Sequence, residues 1–162
     1  MKDLSEIDIA RICISSPFLN KFFGGVYPRS FYPDSQKIGS NKFYIYNNQM
    51  EDSAGMHWIM IFYMKDKTIF WDSFGFGESF WGYWDIVENK GLPLTRNVRQ
   101  IQDFLNPTCG HHAIFVAYCL AKGLKLNVIT EKIYSRDTIY NDQLVFNFVK
   151  KLAWKHQKII IM

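Results

Sequence analysis

The chain has 162 residues, of which 48% are hydrophobic, 21% charged and 17% aromatic. That length corresponds to a single domain, 1–162, and that composition excludes a disordered or low-complexity polypeptide. Nineteen basic against 15 acidic residues leave a net charge of +4, which favours weak association with DNA or acidic partners but falls short of a dedicated nucleic-acid domain.

No segment approaches the ~20 apolar residues of a membrane span. Met1-Lys2-Asp3-Leu4-Ser5-Glu6 carries two acids early and no unbroken apolar core, so it is not read as a signal peptide. Cys13, Cys109 and Cys119 are the three cysteines, an odd number that cannot close a disulfide framework and points to a reducing compartment. The expectation is a soluble intracellular monomer.

Leu4 to Cys13 places Leu4, Ile7, Ile9, Ile12 and Cys13 near helical spacing, with Ser5 or Asp3 as cap and Pro17 as the end. Phe18 to Pro28 is aromatic and punctuated by Gly24, Gly25 and Pro28, which predicts an ordered loop rather than a helix or strand. Lys42 to Asn47 reads as a short strand, followed by a polar turn to Gly55. His57 to Met64 is a continuous apolar run, the pattern of a strand buried on both faces. Lys65-Asp66-Lys67 turns the chain, Thr68 to Asp72 returns it, and Ser73-Phe74-Gly75-Phe76-Gly77 breaks it. Phe80 to Val87 fits a short aromatic helix. Leu92 to Leu94 and Val98 to Ile101 look irregular or briefly extended, and Asn106-Pro107-Thr108 stops the chain. Cys109 to Ala121 is apolar almost all round and predicts a buried helix, closed by Lys122 and Gly123. Leu126 to Ile129 is a strand candidate. A last helix runs from about Asn141 to Lys155, with Leu144 or Val145, Phe148, Val149 and Leu152 inward and Asn147, Lys150, Lys151 and Lys155 outward. The apolar tail Ile159 to Met162 needs cover.

The chemistry centres on Cys109, at the head of the buried helix. Unpaired N–H groups collect positive partial charge there, which favours a thiolate and makes the sulfur a nucleophile. Gly110 has no side chain, so its backbone can approach a substrate. His57 opens the buried strand and can exchange a proton with Cys109. If Lys65-Asp66 form a two-residue turn, Met64 pairs with Lys67 and Ile59 with Asp72. Asp72 then lies diagonal to His57 on one face, about 7–8 Å away between Cβ atoms, where a carboxylate orients the imidazole. A one-residue slip separates them. Gln102, seven residues before Cys109, can donate to an oxyanion beside the Cys109 N–H. Taken singly, each residue has a structural alternative: a buried packing cysteine, a strand-end histidine, a turn-forming acid, a surface glutamine.

Together these residues resemble the adenovirus endopeptidase (adenain) family. The resemblance rests on Gly55-Met56-His57-Trp58, on Asp72-Ser73-Phe74-Gly75-Phe76, and on Gln102 followed by Asn106-Pro107-Thr108-Cys109-Gly110. The order His, acid, Gln, Cys and the seven-residue Gln-to-Cys interval match that family. The SUMO-deconjugating peptidases of the same clan usually have an interval one residue shorter. The resemblance covers about Phe18 to Gly123. It implies an α+β fold in which a small mixed β-sheet packs against the helix headed by Cys109. It also implies a cysteine endopeptidase with Cys109 as nucleophile, His57 as general base and acid, Asp72 as orienting carboxylate and Gln102 as oxyanion-hole donor. Implied substrates are viral precursor proteins with Gly near the cleaved bond, processed during virion maturation. The setting would be the host nucleus or cytoplasm and then the virion. Trp58 and the Phe22 to Tyr27 loop are expected to wall the groove.

The chain departs from the family in three places. Asp72 stands where adenain usually has Glu, Ser73 replaces a Pro, and the hairpin is slightly shorter. The family's activators are a peptide and DNA. No cysteine lies between Asp72 and Cys109 to hold a disulfide-linked peptide, and no cofactor is required by the sequence itself. Rival readings are a SUMO-type deconjugating peptidase, an inactive peptide-binding virion protein, and a zinc site of Cys109, His111, His112 and Cys119. The zinc spacing is poor, because Cys109 and His111 point to different sides of a helix and Cys119 lies about 15 Å further along it. Gly75-Phe76-Gly77 lacks the third glycine of a dinucleotide fingerprint. Lys150, Lys151, Lys155 and Lys158 make either a solvated face or a basic face for DNA.

Overall fold

The structure is a computed structural model that describes residues 1–28, 39–47, 57–77 and 91–160, with side chains described as far as residue 155. The expected aromatic helix at Phe80 to Val87, the polar turn before Gly55, and Gly55-Met56 of the resemblance lie outside the described residues, as do the side chains of Lys158 and the apolar tail.

The chain opens with α1 (Glu6–Ser15) and the short α2 (Pro17–Asn20). Ser5 caps α1 through a capping box. Its Oγ accepts from the Asp8 N–H at 3.1 Å, while the Asp8 carboxylate accepts from the Ser5 N–H at 3.0 Å. Among the described residues five strands follow: β1 (Phe23–Pro28), β2 (Lys42–Asn47), β3 (Trp58–Tyr63), β4 (Thr68–Trp71) and β5 (Leu94–Arg96). They form one mixed sheet in the order β1-β2-β3-β4-β5. The two outer pairs are parallel, and β2-β3-β4 is antiparallel. Helix α3 (Cys109–Ala121) comes next, then α4 (Leu126–Val128) running into a π-helical turn (Ile129–Ile133), and finally α5 (Thr138–Ile160).

β3 is buried at every position, as its unbroken apolar run predicts. On one face Phe43, Ile45, Trp58, Met60, Phe62 and Trp71 pack with residues of α1, α3 and α5. On the other, Tyr44, Tyr46, Ile59, Ile61, Tyr63 and Phe70 form a second cluster. The β3–β4 hairpin has the register that a Lys65-Asp66 turn requires. Tyr63 pairs with Thr68 and Met60 with Trp71, and the Met64 N–H donates to the Lys67 carbonyl at 2.9 Å. Helix α3 has the predicted ends, with Lys122 as C-cap and Gly123 at φ +92°. The inward stripe on α5 is also observed. Val145 and Val149 are buried, while Leu144, Phe148 and Leu152 pack against the core.

Two expected elements differ. Phe23 to Pro28 is a strand rather than a loop, because its glycines are covered by a neighbour. The Tyr44 ring lies where a Gly24 side chain would go, the Tyr27 ring where a Gly25 side chain would go, and Gly25 absorbs a register shift at φ +146°. Phe22 and Phe23 accordingly pack against the core instead of walling a groove. Leu126 to Ile129 is helical rather than extended. A four-residue apolar run suits either state, and here Leu126 and Ile129, three apart, turn to the same core.

The Asp72 turn depends on Gly75. It has φ +82°, and an added Cβ would lie 2.8 Å from the Arg99 carbonyl carbon. Gly75→Ala is expected to destabilise by about 2–4 kcal/mol, combining backbone strain with a backbone clash. Gly123→Ala, at φ +92° with nothing within 4 Å, should cost only about 1 kcal/mol. Urea denaturation of both variants measures the difference, and equal losses would remove the steric part of this account.

Candidate active site

His57 sits immediately before β3 and Asp72 immediately after β4, so the hairpin register brings them together. His57 Nε2 and Asp72 Oδ1 are 2.7 Å apart, and both residues are buried. The Asp72 carboxylate also accepts the Phe74 N–H at 2.9 Å on Oδ1 and the Phe76 N–H at 3.1 Å on Oδ2. Its backbone is clamped by Asn97, which the sequence reading missed. The Asp72 N–H donates to Asn97 Oδ1 at 3.0 Å, and Asn97 Nδ2 donates back to the Asp72 carbonyl at 2.5 Å. An asparagine in an irregular segment carries no sequence signal for such a clamp. Phe74 stacks on the His57 ring, with centroids 4.4 Å apart and planes 8° from parallel, and Phe104 packs on Phe74.

Ser73, the departure from the expected proline, joins Asp72 to Gln102. The Ser73 Oγ donates to Gln102 Oε1 at 2.5 Å, and the Ser73 carbonyl accepts the N–H groups of Ile101 and Gln102. Gln102 is buried, not a surface residue, and its Nε2 donates to the Asn106 carbonyl at 2.5 Å. An amide nitrogen carries two hydrogens, so this bond uses one of them.

Cys109 is the first residue of α3 and is 3% exposed. Its helix packs on β3 through Gly110. An added Cβ there would lie 3.3 Å from the Trp58 ring, 3.4 Å from Ile9 and 3.4 Å from Leu4. The glycine therefore serves close packing rather than access for a substrate. Trp58 is likewise buried instead of lining an open wall, and its indole N–H donates to the Leu4 carbonyl at 3.0 Å.

Asp3 and Leu4 thus lie over the head of α3. The consequence for the thiol reverses the expectation from helix position. Burial pushes the Cys109 thiol up to about 12, and the Asp3 carboxylate pushes in the same direction. Hydrogen bonds from the backbone at Trp58, Gly110 and Cys109 itself pull it down, but by less. The helix N-terminus favours a thiolate as predicted, and desolvation outweighs it.

The zinc grouping does not assemble. Both ring nitrogens of His112 are engaged, Nδ1 with the Tyr134 hydroxyl at 2.8 Å and Nε2 with Asp142 Oδ1 at 2.8 Å. His111 turns instead towards Phe146. Among the described residues no three metal-ligating side chains cluster. Lys150, Lys151 and Lys155 face outward on α5 beside an exposed Trp154.

No protein-family profile matches the chain, and no curated protein matches it in sequence. Its fold is similar to that of the ASFV pS273R protease, with a TM-score of 0.53 and 12% identity over 86% of this chain and 64% of that one. A selenomethionine structure titled for the same protease aligns over 62% of this chain and 41% of that one, at 15% identity and a TM-score of 0.44. The chain spans less than two thirds of the length of either. At these identities the likeness is one of fold. The observed class is α+β, a mixed sheet packed against a buried helix headed by Cys109.

Two outcomes follow from the buried groups. Asp3→Asn removes a negative charge that raises the Cys109 pKa, so the pH profile of its alkylation by iodoacetamide should move to lower pH. An unmoved profile would show that Asp3 does not act on the sulfur. Burial also lowers the His111 pKa to about 4 from the ordinary 6.5. The unfolded chain then binds a proton between these values and the folded chain does not, so stability falls as pH drops from 6.5 to 4, by about 1.4 kcal/mol per unit. His111→Gln should flatten this part of a denaturation-versus-pH profile, and an unchanged slope would rule the contribution out.

Proposed function

We propose that the protein is a cysteine endopeptidase of adenain-like type, with Cys109 as nucleophile, His57 as base and acid, Asp72 as orienting carboxylate and Gln102 as oxyanion donor. The single observation that carries this reading is the buried 2.7 Å contact between His57 and Asp72. Further support comes from Trp58, the residue after His57, whose backbone interacts with the Cys109 sulfur and whose ring packs at Gly110. Asp72 engages Nε2, so Nδ1 is the ring nitrogen assigned to proton exchange. The similarity of fold to a protease supports the same reading.

In this mechanism His57 takes the Cys109 proton as the sulfur adds to the peptide carbonyl carbon. The carbonyl electron pair moves to oxygen, and the oxyanion is held by the Cys109 N–H and the second N–H of Gln102 Nε2. Collapse breaks the C–N bond while His57 gives its proton to the leaving amine. Water then loses a proton to His57 and adds to the thioester. Expulsion of the sulfur, reprotonated by His57, releases the acid and restores the thiol. Ser73 holds the Gln102 amide by its oxygen, which turns its nitrogen towards the loop before Cys109.

Substrates on this reading are polypeptides, specifically viral precursors with Gly near the cleaved bond, in virion maturation. A peptide or DNA is a candidate activator, and the outward face of Lys150, Lys151 and Lys155 beside Trp154 is the surface for weak DNA association. The working form is a monomer in the host cell or the virion.

Cys109→Ala should lower cleavage of Gly-containing peptides by more than about 1,000-fold while leaving the urea midpoint near the wild-type value. Gln102→Ala should lower kcat by about 100-fold or more. The assays are run with and without DNA. Undiminished cleavage by Cys109→Ala would end the assignment. A preference for the C-terminal tail of a folded ubiquitin-like modifier over short peptides would replace it with a deconjugase.

A further inference from the structure

The segment 103–108, between Gln102 and Cys109, has no regular secondary structure. Its apolar side chains do not hold it, since Phe104 is 55% and Leu105 92% exposed. What holds it is a carboxylate from a distant helix. Asp142, in the second turn of α5, is fully buried. Its Oδ2 accepts from Asn106 Nδ2 at 2.7 Å and from the Asp103 N–H at 3.2 Å. Its Oδ1 accepts from the Thr108 hydroxyl at 2.9 Å and lies 2.8 Å from His112 Nε2. Burial opposes the charge on Asp142, but hydrogen bonds from His112, Asn106 and Thr108 more than offset it and hold the carboxyl below its usual value. Burial keeps His112 neutral, so its Nε2–H donates to Asp142 and its Nδ1 accepts from Tyr134.

Two of these contacts reach the groups that the proposed mechanism uses. Asn106 bridges Asp142 to Gln102, because its side chain donates to Asp142 while its carbonyl accepts from Gln102 Nε2. Thr108 is the N-cap residue of α3, and its hydroxyl makes no bond to its own helix. It is turned to Asp142 instead, so no Thr108 cap covers the N–H groups of the first turn where an oxyanion would sit.

We infer that Asp142 is a positioning residue for the reaction. Its buried carboxylate, backed by His112, ties down segment 103–108 so that the Gln102 amide and the Cys109 N–H converge on one oxyanion. This rests on the peptidase reading above. An isolated buried charge is a poor way to stabilise a fold, since apolar side chains of similar volume commonly do as well or better. A carboxylate is suited to gathering three donors at fixed points along an irregular loop, Asp103, Asn106 and Thr108, with His112 of α3 behind them.

The test uses the full chain and two readouts. Peptide cleavage needs the oxyanion donors. Alkylation of Cys109 by iodoacetamide forms no tetrahedral oxyanion and needs only the sulfur. Asp142→Ala should lower kcat by about 100-fold, with KM and the alkylation rate within about threefold of wild type. Asp142→Asn should recover most of the loss. Its amide can donate to the other tautomer of His112 and to Thr108 while still accepting from Asn106 and Asp103. If Asp142→Ala does not fold, Thr108→Val and Asn106→Ala each remove one tether and should each lower kcat by about tenfold with alkylation unchanged. Folded variants with wild-type kcat would overturn the inference and leave the peptidase reading standing. So would parallel losses of alkylation and cleavage that track the folded fraction. A wild-type chain that alkylates at Cys109 yet cleaves no peptide would overturn the peptidase reading itself, and this inference with it.

Discussion

A carboxylate shut away from water must be supplied with donors, and in this protein the way Asp72 is supplied organises the site. Among the described residues, the His57 ring and the backbone N–H groups of Phe74 and Phe76 converge on it. Each demand has a structural consequence. The two backbone donors require the chain to curl back directly after β4, which only Gly75 can do against the Arg99 backbone. Clamping the Asp72 backbone takes Asn97, just beyond β5. The curl in turn exposes the Ser73 carbonyl and hydroxyl to Gln102. The position of the imidazole, the orientation of the glutamine and the parallel docking of β5 on β4 are therefore linked through one buried side chain, Asp72.

Helix α3 is held at its head from two sides by different physics. On the sheet side the contact is apolar and close, with Gly110 admitting Trp58, Ile9 and Leu4. On the other side it is polar, with Thr108 and His112 bonded to Asp142. Close packing fixes distance and hydrogen bonds fix direction, and the head of this helix has both. The cost is that the sulfur lies buried near Asp3 and Leu4 in a setting that favours the neutral thiol. The field at a helix N-terminus decays within a turn and competes with desolvation of the whole side chain. At Cys109 the second is larger.

Much of this was legible along the chain. The apolar run from His57 to Met64 identified a strand buried on both faces, and a Lys65-Asp66 turn was the condition for His57 and Asp72 to share a face; a run that is apolar on both faces fixes no register by itself, and the structure supplied the one that turn requires. The ends of α3 were written in the Asn106-Pro107-Thr108 stop before it and in Lys122 and Gly123 after it. The meeting of His57 with Asp72 followed from that register alone. Other features had no local signature. Gly24 and Gly25 read as breakers until Tyr44 and Tyr27 are seen to cover them, and Leu126 to Ile129 suits two conformations until the core selects one. Asn97, Asn106 and Asp142 are ordinary polar residues in sequence, and their partners lie 25 to 39 positions away.

Residue types and their alternation along the sequence determined the α+β class, the central hairpin and the helix that begins with Cys109, because those features arise from contacts a few residues long. The tertiary structure alone decided how much water reaches the sulfur, which donors each buried acid receives, and that Asp3 and Leu4 lie across the head of α3. Solvation and long-range hydrogen bonding depend on every segment that converges on a point, and that convergence is absent from any one stretch of chain.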